Sequence, residues 1–224
     1  YGLTETSPVI TLTSPDQVRL GSVGKPVGDV QIRIADDGEI LVRGSNVAKG
    51  YFGKPQETAE AFRDGWFHTG DVGRLSPDGY LEITDRKKDL IITSTGKNIA
   101  PQQIESRLKL IPYFDNIVVI GDRRSFLSAL IVPNMDAILS WAQSQSISFN
   151  NPVELLSRAE IHELALREIE KKTVDLAGFE RIRKVAFLES VFSVDSGELT
   201  PTLKIRRSII ESKFRDRIDK LYAA

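Results

Sequence analysis

Five consecutive charged residues, Asp85-Arg86-Lys87-Lys88-Asp89, set the strongest limit on how this chain can fold. They stand between two apolar segments, Tyr80-Leu81-Glu82-Ile83 and Leu90-Ile91-Ile92, and so many charges cannot share a packed core without losing their hydration. The run is therefore expected to face solvent or an ionic ligand. It also divides the pattern of the chain, with strands and tight turns before it and mixed helices and strands after it.

Before the run, Val30-Gln31-Ile32-Arg33-Ile34 and Glu39-Ile40-Leu41-Val42-Arg43 flank Ala35-Asp36-Asp37-Gly38, a hairpin pattern. Val72 to Ser76 and Tyr80 to Thr84 flank Pro77-Asp78-Gly79 in the same way. A short helix is expected over Lys54 to Arg63, opening near Pro55. After the run, Pro101 suits an early helical position, and Ile104, Leu108 and Ile111 recur at helical spacing. Asn116 to Ile120 and Phe126 to Val132 read as a hairpin joined by Gly121-Asp122-Arg123-Arg124. Met135 to Gln145 and Ala159 to Val174 read as helices, and Asn151-Pro152 opens another. Lys184 to Phe192 reads as a strand. Ile205 to Tyr222 reads as one final helix with Ile210, Phe214, Ile218 and Leu221 inward. The fold class is α+β, divided into residues 1–84 and 85–224.

A length of 224 residues suits one large or two small domains, and 41% hydrophobic residues supply a core. The net charge of -1 gives no global field that would recruit nucleic acid. There are 0 cysteines, which excludes disulfides, thiolate metal sites and a covalent thiol mechanism and permits a reducing cytosol. No apolar run approaches the roughly 18 residues needed to span a bilayer. The first residue is Tyr rather than Met, so the chain is read as a piece of a longer protein.

Three further motifs bear on the charged run. Tyr1-Gly2-Leu3-Thr4-Glu5 sets a hydroxyl and a carboxylate just after a glycine. Gly65-Trp66-Phe67-His68-Thr69-Gly70-Asp71-Val72-Gly73 reads as a loop whose glycines free the backbone around one carboxylate, a setting suited to close approach of a ligand. Gly197-Glu198-Leu199-Thr200-Pro201-Thr202-Leu203-Lys204-Ile205-Arg206-Arg207 offers one lysine in a turn-rich segment. With Asp85 to Asp89 and Ser94-Thr95-Gly96-Lys97-Asn98-Ile99-Ala100-Pro101-Gln102-Gln103-Ile104-Glu105, these resemble the motifs of the AMP-forming acyl-CoA synthetases, within the adenylate-forming superfamily, over nearly the whole chain.

That resemblance implies a β-rich end of a large N-terminal adenylation domain, part of a small distorted barrel, over residues 1–84. It implies a mobile α+β C-terminal lid over 85–224 with its hinge at 85–86, Asp85 being the pivot. Tyr1 is then expected to lie against adenine, Thr4 to contact phosphate, Glu5 to help hold Mg2+, and Asp71 to accept from the ribose hydroxyls. Arg86 should meet ribose or phosphate. Lys204 would be the catalytic lysine, assisted by Thr4 and Glu5, since an ammonium aimed at the reacting phosphate stabilises the charge that gathers there. Gly96, with Lys97 beside it, would flank the tunnel of the CoA thiol. For Lys87, Lys88 and Asp89 a solvated ion-pair cluster stands equally beside a ligand role, for Glu105 an exposed helix carboxylate stands equally beside a part in the motif, and His68 reads as a turn-stabilising residue or one lining the site.

By the same resemblance, a fatty acid and ATP give an acyl-adenylate and pyrophosphate, and CoA then displaces AMP. The phosphate loop and the fatty-acid tunnel of such enzymes would precede Tyr1, so the piece alone is expected to be inactive. The insertion around Gln143 to Pro152 is similar to that of long-chain members. The alternatives are an adenylate former that loads a carrier protein and a noncatalytic nucleotide-binding homologue. The setting implied is cytoplasmic. For Arg206, Arg207, Lys213, Arg215, Arg217 and Lys220, a solvated face competes with contact to CoA phosphates or an anionic membrane surface.

Overall fold

A computed structural model describes residues 1–223. The fold is mixed α+β and divides into two compact units, Tyr1–Lys88 and a second running from Asp89 onward.

The first unit opens with the short pair β1 (Thr11–Leu12) and β2 (Lys25–Pro26). A curled five-stranded sheet follows, built from β3 (Gln31–Ile34), β4 (Glu39–Arg43), β5 (Phe62–Arg63), β6 (Trp66–Leu75) and β7 (Leu81–Arg86). Helix α1 (Pro55–Ala61) precedes β5, with proline at its start where a missing N–H costs nothing. Ile10, Val30, Ile40, Val42, Phe67 and Leu81 form the core of the unit. Both expected hairpins are present.

The glycine-rich nonapeptide differs from the loop expected of it. It runs through β6 as strand, pairing with β4, β5 and β7. Its glycines serve a distortion of that strand. Between the pairs Leu41↔His68 and Glu39↔Val72 the register slips, and Gly70 takes a φ of 72° that other residues adopt only with strain. Gly73 lies so close to β7 that a Cβ would meet the Glu82 carbonyl at 2.4 Å.

In the second unit, β8 (Ile91–Ile92) and β9 (Asn98–Ile99) form a hairpin that leads into α2 (Pro101–Leu108). The three-stranded sheet has β10 (Phe114–Ile120) antiparallel to β11 (Leu127–Pro133), which is parallel to β12 (Ile182–Phe187). Helices α3 (Met135–Ser144), α4 (Pro152–Leu156) and α5 (Ala159–Lys172) lie between β11 and β12 in sequence. Asn134 and Asn151 cap α3 and α4 through their side-chain oxygens.

Alternate residues of β10 and β11 are buried on opposite faces. Ile117, Val119, Ala129 and Ile131 pack with α2, α3 and α5, whereas Val118, Ile120, Leu130 and Val132 pack with Ile210 and Ile218. Burial on both sides explains why these strands are continuously apolar. Each such Ile or Leu contributes about 1.5–3 kcal/mol.

Two expected elements are corrected. The strand expected to reach Phe192 ends at Phe187, although Leu188 and Phe192 remain buried. The single final helix is two, α6 (Arg207–Lys213) and α7 (Arg215–Tyr222), separated at Phe214 by a φ of -108° and ψ of 22°. Ile210 and Ile218 still face inward because the apolar spacing continues across the break.

Candidate functional site

In the first unit, Tyr1, Asp71 and Arg86 meet. The Tyr1 hydroxyl donates to Asp71 Oδ2 at 2.6 Å, and Arg86 Nε stands 3.4 Å from Asp71 Oδ1. Burial, followed by the bond to Asp71, raises the Tyr1 pKa, so the phenol stays a donor. The strand distortion aims the carboxylate. Thr69 Oγ1 donates to the Ile40 carbonyl and accepts the Asp71 N–H, while Glu39 Oε1 accepts the Gly70 N–H at 3.0 Å.

Glu39 anchors this arrangement from below. It is 4% exposed and also receives Lys87 Nζ at 2.9 Å and pairs with His68 Nδ1 at 3.1 Å. Burial pushes its pKa up, but the bonds from Lys87, His68 and Gly70 outweigh that and lower it. Lys87 also reaches Asp37 at 2.6 Å, and bonds to Asp37 and Glu39 raise its own pKa. His68 thus supports the strand through Glu39, with Arg63 on its other side.

The charged run is not uniformly solvated, contrary to expectation. Asp85 is 2% exposed within β7, opposite Val72, and accepts the Arg86 N–H at 2.7 Å. The strand carries the backbone inward at that point, so the flanking charges reach water while Asp85 does not. Arg86 pairs with Asp71 across the same ladder, which brings it to the Tyr1 group.

Thr4 and Glu5 lie in a 3-10 turn, Thr4–Thr6. Thr4 is exposed, and Glu5 Oε1 accepts the Tyr51 hydroxyl at 2.9 Å. Burial and the bond to Glu5 raise the Tyr51 pKa. Sequence reasoning missed Tyr51, whose only local signal is an aromatic beside Gly50 and Phe52. No cluster of three metal-ligating side chains occurs among the described residues. A lone half-buried carboxylate fits a magnesium ion that brings phosphate and water ligands with it.

In the second unit, Gly96 sits at the exposed tip of the β8–β9 hairpin with a φ of 75°, and nothing lies within 4 Å of where a Cβ would stand. Lys97 lies over the Phe179 ring at 5.6 Å. Lys204 is exposed in a turn closed by the Leu199↔Ile205 bridge, with its N–H on Thr200 Oγ1 at 3.0 Å and its carbonyl on the Thr200 N–H at 2.8 Å. Its ammonium has no partner among the described residues, which leaves it available to a ligand.

One expectation about a charge here is corrected. Glu105 is not an exposed helix carboxylate. It is 5% exposed, accepting the Val119 N–H at 2.8 Å and Arg207 Nη2 at 2.7 Å. The basic face of the last segment is largely solvated, with Arg206, Lys213, Arg215 and Lys220 exposed, and several of its heads are also tied to the protein. Arg206 and Arg207 bond to Gly197 and Val119 carbonyls, Lys213 to Glu198, and Arg217 to the Phe187 carbonyl and Glu189. Arginine and lysine stems let these heads reach inward from a helix surface. No helix among the described residues is long and apolar enough to cross a membrane.

Comparison with known proteins adds independent findings. Residues 1–52 match the AMP-binding enzyme family, and residues 88–224 match the AMP-binding enzyme C-terminal domain. The chain is 40% identical over 223 residues to long-chain-fatty-acid-CoA ligase FadD15 of Mycobacterium bovis, covering 99% of this chain and 37% of that protein. It is 35% identical over 240 residues to human long-chain-fatty-acid-CoA ligase 1, covering 100% of this chain and 34% of the relative. The fold matches the A-PCP didomain of a carboxylic acid reductase from Segniliparus rugosus with a TM-score of 0.74 at 23% identity, covering 100% of this chain and 30% of the other. The chain therefore spans little more than a third of the curated relatives it matches.

Proposed function

The chain belongs to the AMP-binding enzyme family, and on that premise we propose that it is the C-terminal part of an ATP-dependent, AMP-forming long-chain fatty acid CoA ligase. The observation that carries the reading is the joining of Tyr1, Asp71 and Arg86 into one group by a hydrogen bond and an ion pair on the same carboxylate. A planar aromatic, a carboxylate and a guanidinium suit the base, ribose and phosphate of a nucleotide respectively.

In this reading Asp71 accepts from the ribose hydroxyls and Arg86 holds ribose or phosphate. Thr4 donates to phosphate. Glu5, held by Tyr51, would ligate Mg2+, which when bound neutralises part of the triphosphate charge. The Lys204 ammonium meets the negative charge that develops as the fatty acid carboxylate attacks the α-phosphate. Asp85 and Arg86 are the pivot about which the second unit turns as a lid against the first, and Gly96 and Lys97 flank the path of the CoA thiol in the second half-reaction. The setting is cytoplasmic.

The relatives' long-chain names favour fatty acids over other carboxylates and CoA over a carrier protein. The test is ATP-pyrophosphate exchange by the complete protein with fatty acids of graded length, followed by addition of CoA. Exchange that peaks with long chains, and acyl-CoA formed on addition of CoA, support the reading. Exchange without acyl-CoA would assign the acyl group to a carrier protein, and no exchange with any fatty acid would remove the adenylation role.

A further inference from the structure

Lys204 is aimed only by the backbone on either side of it. On one side its turn closes on itself through Thr200, and the Arg206 N–H reaches the Glu198 carbonyl at 2.8 Å. On the other side the chain enters α6 at Arg207, which is tied to two elements far away in sequence. Arg207 Nη2 donates to Glu105 Oε1 at 2.7 Å and Nη1 to the Val119 carbonyl at 2.5 Å. The same Glu105 oxygen accepts the Val119 N–H at 2.8 Å.

This contact is withdrawn from water: the Arg207 side chain is 14% exposed and that of Glu105 6%. Val119 lies on β10, an edge strand of its sheet, so its outward N–H and carbonyl have no neighbouring strand. Buried backbone groups of this kind need partners. The carboxylate and the guanidinium supply them, and each fixes the other against the sheet edge.

We infer that Glu105 and Arg207 are a positioning pair that sets the direction in which the chain passes through Lys204, and so aims its ammonium at the reacting phosphate. The inference rests on the adenylation role proposed for Lys204 and extends it to residues that touch no substrate. A guanidinium holds the carboxylate and the carbonyl on a rigid planar fork, whereas a lysine offers rotatable donors on a flexible stem. Glu105 stands on α2, which follows the Gly96 hairpin. Ile104 and Leu108 hold that helix in the apolar core independently of Arg207. Loosening Arg207 therefore frees the Lys204 segment and leaves the Gly96 hairpin in place, which separates the two half-reactions.

The experiment uses the complete protein and its Arg207→Lys, Glu105→Gln and Lys204→Ala variants. ATP-pyrophosphate exchange is measured with a long-chain fatty acid, and conversion of supplied acyl-adenylate to acyl-CoA is measured separately. Arg207→Lys keeps the charge and loses the fork; Glu105→Gln keeps the size and loses the ionic partner. Both variants should lower kcat for exchange by up to about 10²-fold, the cost that a displacement near 1 Å can carry. The KM for ATP and the rate of the CoA step should stay within about twofold of the parent. Equal loss of both half-reactions, or parental exchange in both variants, would overturn the pairing. Should Glu105→Gln fail to fold, Arg207→Lys gives the same two readings. The earlier proposal fails separately, if Lys204→Ala exchanges like the parent; an inactive Lys204→Ala beside fully active Arg207→Lys and Glu105→Gln refutes the positioning pair alone.

Discussion

The phenol of Tyr1 donates to Asp71 across 2.6 Å, joining residues 70 positions apart in the chain. The bond leaves Asp71 Oδ1 facing Arg86 and holds the carboxylate in one orientation. In the complete protein, Tyr1→Phe keeps the ring and removes the donor. One bond to a charged group is worth about 1.5–3 kcal/mol, so the KM for ATP should rise about tenfold or more with kcat little changed. Steady-state kinetics check this, and an unchanged KM would mean that Asp71 needs no help from Tyr1.

Gly96 makes a different prediction, because its surroundings are open but its backbone is left-handed. Gly96→Trp adds bulk and strain together; Gly96→Asn adds little bulk in a conformation Asn tolerates. Gly96→Trp should slow acyl transfer to CoA about tenfold or more while exchange continues, and Gly96→Asn should stay close to the parent. Equal slowing by both would assign the effect to the backbone rather than to a blocked path.

The start of α2 at Pro101 and the opening of α4 at Asn151-Pro152 show what was legible in the sequence, since proline geometry and capping are local. The Tyr1, Asp71 and Lys204 segments were legible as motifs for the same reason. What escaped depends on tertiary placement. Phe214 continues the apolar spacing, so nothing local marks the break between α6 and α7. Leu188 and Phe192 are apolar because they are buried, not because they are in a strand. The Tyr51–Glu5 bond and the Glu105–Arg207 pair join residues 46 and 102 positions apart, beyond any short-range pattern. Asp85 was misread because its charge argued for solvent, whereas its pairing with Val72 carries it inward.

Glu198 ties the start of the lysine segment to α6 and gives a pH dependence. Burial pushes its carboxyl up, but Lys213, Ser196 and backbone N–H groups outweigh this and bring it from 4.5 to about 2. A depressed folded pKa means the carboxylate stabilises the fold above its unfolded value, and that contribution is lost as pH falls from about 4.5 towards 2. Glu198→Gln should cost about 1 kcal/mol at neutral pH, because the Lys213 ammonium it leaves behind still meets water, and flatten this part of the stability profile. Denaturant unfolding between neutral and acid pH checks it, and a profile unchanged by Glu198→Gln would remove the residue from the acid response.

The central claim is that the exposed ammonium of Lys204 serves the adenylation step, and ATP-pyrophosphate exchange by the complete Lys204→Ala protein measures that step directly. Losing a charge that stabilises the transition state should lower exchange by about 10²–10³ while acyl transfer from supplied acyl-adenylate to CoA persists. Exchange at the parental rate would contradict the account.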